Sequence, residues 1–208
     1  MPRTCLIVDF GGVLTTSLDD AVRGFEAREG LPEGAVEQTW YQDPAMVELT
    51  QDLERGWSTQ LDWNQCMGEA LGIDSTNLLG RIFTDSHLDE SMVSVLARAR
   101  ASGLRTGLLS NSMGLAPWNM YRGLDIDATF DAALISEQHG LRKPDPAVYE
   151  LILKTLEVPG SACVFVDDNA ANLPPAEALG MATVLHRSAE RSTARLEDLL
   201  GVALRPSP

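Results

Sequence analysis

Cys5-Leu6-Ile7-Val8-Asp9-Phe10-Gly11-Gly12-Val13-Leu14 is a short apolar run that ends on a carboxylate and breaks into a glycine turn. A continuous apolar run this short, closed by glycine, predicts a strand buried on both faces, as in a parallel sheet. Such a strand carries Asp9 to the edge of the sheet, where a carboxylate can attack phosphorus or carbon. Phosphoryl transfer generally also uses a second acid for the leaving-group proton, and two residues after Asp9 stands only Gly11.

Further along, similar runs recur at Thr106 to Leu109, Ala132 to Ile135, Cys163 to Val166 and Ala182 to Leu185. Helical periodicity fills the gaps: Met92, Val93, Val95, Leu96 and Ala99 share one face ending at Gly103, and Val148, Leu151, Ile152 and Leu156 share another after Pro146. This alternation predicts an α/β fold with a doubly wound parallel sheet. Residues 15–89 differ, with helical patterns and no convincing strand. Ser17 and Ser58 are expected as helix caps, Pro32 and Pro44 in first turns, and Gly30 and Gly72 as stops. The expected organisation is a core of residues 1–14 and 90–208 interrupted by an all-helical insertion of residues 15–89. Arg205 to Pro208 read as a loose tail.

At 208 residues and 44% hydrophobic content the chain can bury a substantial core. Sixteen basic against thirty acidic side chains give a formal net charge of -14, which disfavours nucleic acid and anionic membrane partners. Cys5, Cys66 and Cys163 have no metal-type spacing and read as buried thiols of a reducing compartment. No apolar run is long enough to span a bilayer, so a cytoplasmic location is expected. Oligomeric state is not readable from the sequence.

Ligands of parallel α/β sheets bind beyond the carboxyl ends of the strands. The residues placed there are Asp9, Ser110 with Asn111, and Asp167 with Asp168, joined by Lys143 in the loop Gly140-Leu141-Arg142-Lys143-Pro144-Asp145-Pro146. Together they offer a nucleophile, a hydroxyl donor, a cation and two metal-seeking carboxylates. Taken singly, Lys143 reads as a solvated surface lysine. The adjacent pair Asp167-Asp168 is harder to place without a cation, because the two carboxylates repel.

Asp9-Phe10-Gly11-Gly12-Val13-Leu14, Leu108-Leu109-Ser110-Asn111, Lys143-Pro144-Asp145-Pro146 and Val164-Phe165-Val166-Asp167-Asp168-Asn169 together resemble the four ordered motifs of the haloacid dehalogenase-like hydrolases. The likeness covers nearly the whole chain and is strongest to phosphatases similar to the N-terminal domain of soluble epoxide hydrolase and to bacterial sugar-phosphate phosphatases. It implies a Rossmann-like core, an α-helical cap, and attack by Asp9 on a small phosphorylated substrate to form an aspartyl-phosphate. It also implies Mg2+ held by Asp9, the backbone carbonyl of Gly11 and Asp168, with Asp167 as a further ligand or as the residue orienting Lys143. Phosphate would be bound by Ser110, Asn111, Lys143 and the N–H groups of Phe10, Gly11 and Gly12.

Most phosphatases of the family place their acid/base aspartate where this chain has Gly11, and losing such a group typically costs about 10²- to 10⁴-fold in rate. Two alternatives therefore stand beside a phosphatase. One is a metal-free 2-haloacid dehalogenase; the other is a weak or silent relative that binds a phosphorylated ligand or a protein. Trp40, Tyr41, Trp57 and Trp63 are candidates for a pocket or for the core, with Trp63 assigned to the core. His87, His139 and His186 are expected at the surface or in loops, and Arg122 and Arg142 can reach an anionic substrate.

Overall fold

In the computed structural model, which describes residues 3–205, five strands form one parallel sheet in the order β3-β2-β1-β4-β5. They are β1 Cys5–Val8, β2 Arg105–Ser110, β3 Ala132–Ile135, β4 Cys163–Asp167 and β5 Ala182–Leu185. Each expected run is a strand. The runs of β2 and β4 extend to Ser110 and Asp167 because those residues still pair, with Ile135 and Leu185.

Five helices lie between β1 and the rest of the sheet: α1 Leu18–Glu29, α2 Ala35–Gln42, α3 Pro44–Glu54, α4 Gln60–Leu71 and α5 Leu78–Ile82. The other five are α6 Glu90–Ala101, α7 Ile126–Thr129, α8 Pro146–Leu156, α9 Leu173–Ala178 and α10 Ala189–Leu200. Alternation along β1 explains the layering. Leu6 and Val8 join a core with Val95 and Leu96 of α6 and Leu196 of α10. Cys5 and Ile7 point the other way, into a core with Ile152 of α8 and Ala176 of α9.

α1–α5 have their own core, built on Phe25, Trp40, Trp63, Met67, Leu79 and Phe83. Ser17 caps α1 by accepting from the Asp20 N–H at 3.2 Å, and Gly30 ends it in the left-handed region. Pro44 occupies the first turn of α3, and Gly72 stops α4. Two expectations need correction. α4 is capped by Thr59, not Ser58, because only Thr59 has a carboxylate three residues on, Asp62, to complete a reciprocal capping box. Pro32 precedes α2 in a tight turn in which its carbonyl accepts from the Ala35 N–H, and Gly34 takes the cap position.

The chain leaves for these helices and returns side by side. Thr15 and Leu88 form an antiparallel bridge, the Thr16 N–H donates to the His87 carbonyl at 2.8 Å, and the Asp89 N–H donates to the Leu14 carbonyl at 2.9 Å. Across the layers the buried side chain of Gln60 donates to the Trp118 carbonyl at 2.7 Å and accepts from its N–H at 2.9 Å. The strand order runs outward from β1 to β3 and then resumes at β4, on the other side of β1. The ends of β1 and β4 therefore flank a topological switch point, the expected place for a ligand.

Cys66 is exposed, contrary to expectation, because it lies on the outer face of α4; Cys5 and Cys163 are buried. His186 lies in the loop between β5 and α10, as expected, but is buried there, its Nδ1 paired with Ser192 Oγ at 2.9 Å. Arg205 is tied down by Glu197, which accepts its N–H, and the remainder of the expected tail lies outside the described residues. Among the described residues no helix is long and apolar enough to cross a membrane.

Candidate active site

Asp9 follows β1 directly, and its N–H still donates to the Val166 carbonyl at 2.9 Å, extending the β1–β4 ladder by one residue. Its carboxylate is thereby held beside the end of β4. Lys143 Nζ sits 2.9 Å from Asp9 Oδ1 and 2.6 Å from Asp167 Oδ2. The lysine that would read alone as a surface residue is 1% exposed. Burial of an ammonium is costly unless opposite charges surround it, and here two carboxylates do so and raise its pKa above the usual lysine range.

Asp167 is itself braced. Asn172 Nδ2 lies 3.0 Å from both of its oxygens, and the Asn169 N–H donates to Oδ1 at 2.8 Å. The Lys143 loop is fixed by Asn111, whose amide accepts from the Lys143 N–H at 2.8 Å and donates to the Lys143 carbonyl at 3.1 Å. Ser110, at the end of β2, is buried and accepts from the Tyr121 hydroxyl at 2.9 Å. Tyr121 in turn packs edge-on against Phe10.

Asp168 completes the group: oxygens of Asp9, Asp167 and Asp168 all lie within 4.8 Å of one another. Three carboxylates face one ammonium. Burial pushes the Asp9 carboxyl up to about 8, opposed by Lys143 and reinforced by Asp167 and Asp168. Burial and Asp167 likewise raise Asp168. The close approach of Asp168 depends on Gly12, because a Cβ there would sit 2.2 Å from Asp168 Oδ2 and the backbone has φ +68°.

The turn after Asp9 differs from expectation in one respect. Of its three N–H groups, that of Phe10 is taken by Asp9 Oδ1 at 2.7 Å and that of Gly12 by Thr15 Oγ1 at 2.9 Å, because the turn closes on itself. Only Gly11 remains as a main-chain donor for a phosphate. A Cβ on Gly11 would lie 3.1 Å from Leu18 Cδ1 and 3.6 Å from Met120 Cε.

Above these residues a cavity of about 580 Å³ opens between the sheet edge and α1–α3. Asp9, Gly11, Asn111, Lys143 and Asp168 form its floor, with Trp40, Tyr41 and Arg142 among its walls. Arg142 pairs with Glu54 at the end of α3, and the Glu54 carbonyl accepts from Ser136 Oγ, so this wall joins the two layers. Trp63 is core, as expected. Trp57 and Arg122 are not part of the cavity: both are exposed, and Trp57 lies under the Arg55 guanidinium. Asn172, Tyr121 and Gln60 were not among the expected site residues, since nothing in their local sequence marks them.

The model of the haloacid dehalogenase-like hydrolase family matches residues 4–180. The chain belongs to this family. It is 28% identical over 212 residues to a phosphatase of Mycobacterium tuberculosis, covering 96% of this chain and 94% of that protein. It is also 40% identical over 79 residues to the pig bifunctional epoxide hydrolase 2, covering 38% of this chain and 14% of that much longer protein. Its fold matches that of a family enzyme from Bacteroides thetaiotaomicron, solved as a magnesium complex, with a TM-score of 0.69 at 19% identity over 90% of this chain and 94% of that one. The chain spans only part of several curated relatives that it matches, 19% of the mouse acyl-CoA dehydrogenase family member 10 among them.

Proposed function

We propose that this hydrolase is a magnesium-dependent phosphatase that cleaves a small phosphorylated metabolite through an aspartyl-phosphate on Asp9. The observation that carries this reading is the charge balance of the buried site, where three carboxylates within 4.8 Å face a single lysine. With all three ionised, two negative charges are in excess, and a divalent cation that offsets them favours that ionised state. The donors are all oxygens, which suits Mg2+: Asp9, Asp168 and the Gly11 carbonyl would hold it, with Asp167 beside them. When bound, the ion supplies charge neutralisation between the attacking carboxylate and the phosphate oxygens.

The chain's own residues do the rest. Lys143 holds the Asp9 carboxylate in place and presents positive charge to the phosphoryl oxygens, while Asp167, braced by Asn172, keeps the lysine aimed. Ser110, with Tyr121 donating into its oxygen, is left with its own proton to give to a phosphoryl oxygen. Residues 15–89 act as a cap over a core of residues 1–14 and 90–208, sheltering the reaction from water. The excess carboxylates weigh against a metal-free dehalogenase, since a site for an anionic haloacid gains nothing from them.

The test is hydrolysis of a broad panel of phosphate esters with and without magnesium by the wild type and Asp9→Asn. Magnesium-dependent phosphate release by the wild type alone is expected. No release above the variant on any ester would end the phosphatase reading, and metal-free halide release from a 2-haloacid would replace it with the dehalogenase.

A further inference from the structure

Among the described residues, each buried ionisable group around the cavity is already committed, and the uncommitted ones are exposed. Asp9, Lys143 and Asp168 belong to the charged floor. Glu26 accepts from the N–H groups of Gly34 and Val36 at 3.0 and 2.8 Å, and Glu54 is held by Arg142. Asp19, Arg23, Glu33 and Glu37 are exposed, and Tyr41 is 66% exposed at the mouth. What surrounds Gly11 is apolar: Leu18 and Met120 crowd the space that a side chain at position 11 would enter. Beyond them the walls continue with Val36, Trp40, Phe83, Met113 and Trp118.

From this we infer a substrate class: phosphates whose leaving group departs as a stable anion, such as an aryloxide, enolate, carboxylate or phosphate, with an apolar body to fill the walls. The inference rests on the phosphatase reading above. In the first step an oxygen of the Asp9 carboxylate bonds to phosphorus, the bond from phosphorus to the leaving oxygen breaks, and that oxygen keeps the electron pair. No buried group donates a proton to it, so an alkoxide is a poor leaving group here and an aryloxide a good one. In the second step water attacks the phosphoryl group, the bond to Asp9 breaks, the carboxylate is regenerated, and the water's protons leave on the released phosphate. With no base poised at Gly11, this second step is slow relative to the first for a good leaving group, and the phosphorylated enzyme accumulates.

The test compares 4-nitrophenyl phosphate with 4-nitrobenzyl phosphate, which share an apolar ring but differ in leaving-group basicity, on the full chain with magnesium. A kcat/KM for the benzyl ester lower by at least about 10³-fold, within the range that a positioned acid supplies, is expected; a smaller gap overturns the inference and leaves the phosphatase reading standing. Phosphate release from neither ester, nor from any other, overturns the phosphatase reading itself. A second arm installs the acid, as Gly11→Asp combined with Leu18→Ala to make room. This variant, if folded by circular dichroism, is expected to narrow the gap at least tenfold; a folded variant with an unchanged gap overturns the inference. Acid quench and mass spectrometry of the wild type turning over the nitrophenyl ester should find phosphate on Asp9, and an enzyme that stays unmodified while turning over counts against it.

Discussion

At the scale of the residue, the site stores electrostatic tension that folding has to meet. The Asp9 carboxyl is raised from 3.8 to about 8 in the folded chain, so the native state binds a proton that the unfolded chain releases over that interval. Stability from this group is therefore complete below about pH 4 and declines as the pH rises toward 8. In metal-free protein, Asp9→Asn is expected to raise Tm at pH 8, with the advantage shrinking toward pH 4; thermal melts in chelator across that range check it. Lys143→Met should act in the opposite sense. It leaves Asp9 and Asp167 buried beside one another without their cation, a loss of about 3–5 kcal/mol measurable by urea denaturation. That Lys143 is buried was not legible from its own neighbours in sequence, because its two carboxylate partners lie in other motifs. Asn172 was invisible for a similar reason: its value lies in reaching back to Asp167 across a turn.

Among the elements, the strands were the most legible part. Each is a short apolar run buried on both faces, and the layered cores require that composition. Helix ends were less so. Ser58 and Thr59 are chemically similar, and the choice between them is made by Asp62, which bonds the Thr59 N–H at 3.1 Å and also its hydroxyl. Thr59→Ala should cost about 1 kcal/mol, while Ser58→Ala should cost far less, a difference that chemical denaturation of the two variants resolves. The Gln60–Trp118 clamp joins the helices to the loop after β2 across 58 positions of sequence. No local pattern encodes such a pairing, since either residue alone fits a surface. The Gly11 substitution, by contrast, was plain in the sequence, but the apolar packing by Leu18 and Met120 that surrounds it emerged only from the fold.

For the molecule as a whole, the net charge of -14 sets the terms on which the proposed phosphorylated substrate would arrive. The long-range field opposes a phosphate, and on the proposed reading attraction begins only near Lys143 and the Mg2+ that Asp9 and Asp168 would hold. Raising ionic strength from about 0.01 M to about 0.15 M shortens the screening length from about 30 Å to about 8 Å. If approach contributes to the rate, kcat/KM should rise with salt while kcat changes little; a fall in kcat/KM would mean that local attraction dominates the approach.

The placement of the three cysteines has a practical side. Cys5 and Cys163 are sealed in the sheet, while Cys66 stands in solvent on α4. A thiol-directed dye would therefore label the native chain at Cys66, on the helices and away from the sheet. The four tryptophans, Trp40, Trp57, Trp63 and Trp118, lie at varied depths as energy donors. A fluorescence readout of helix movement upon ligand binding is thus available without altering the sequence.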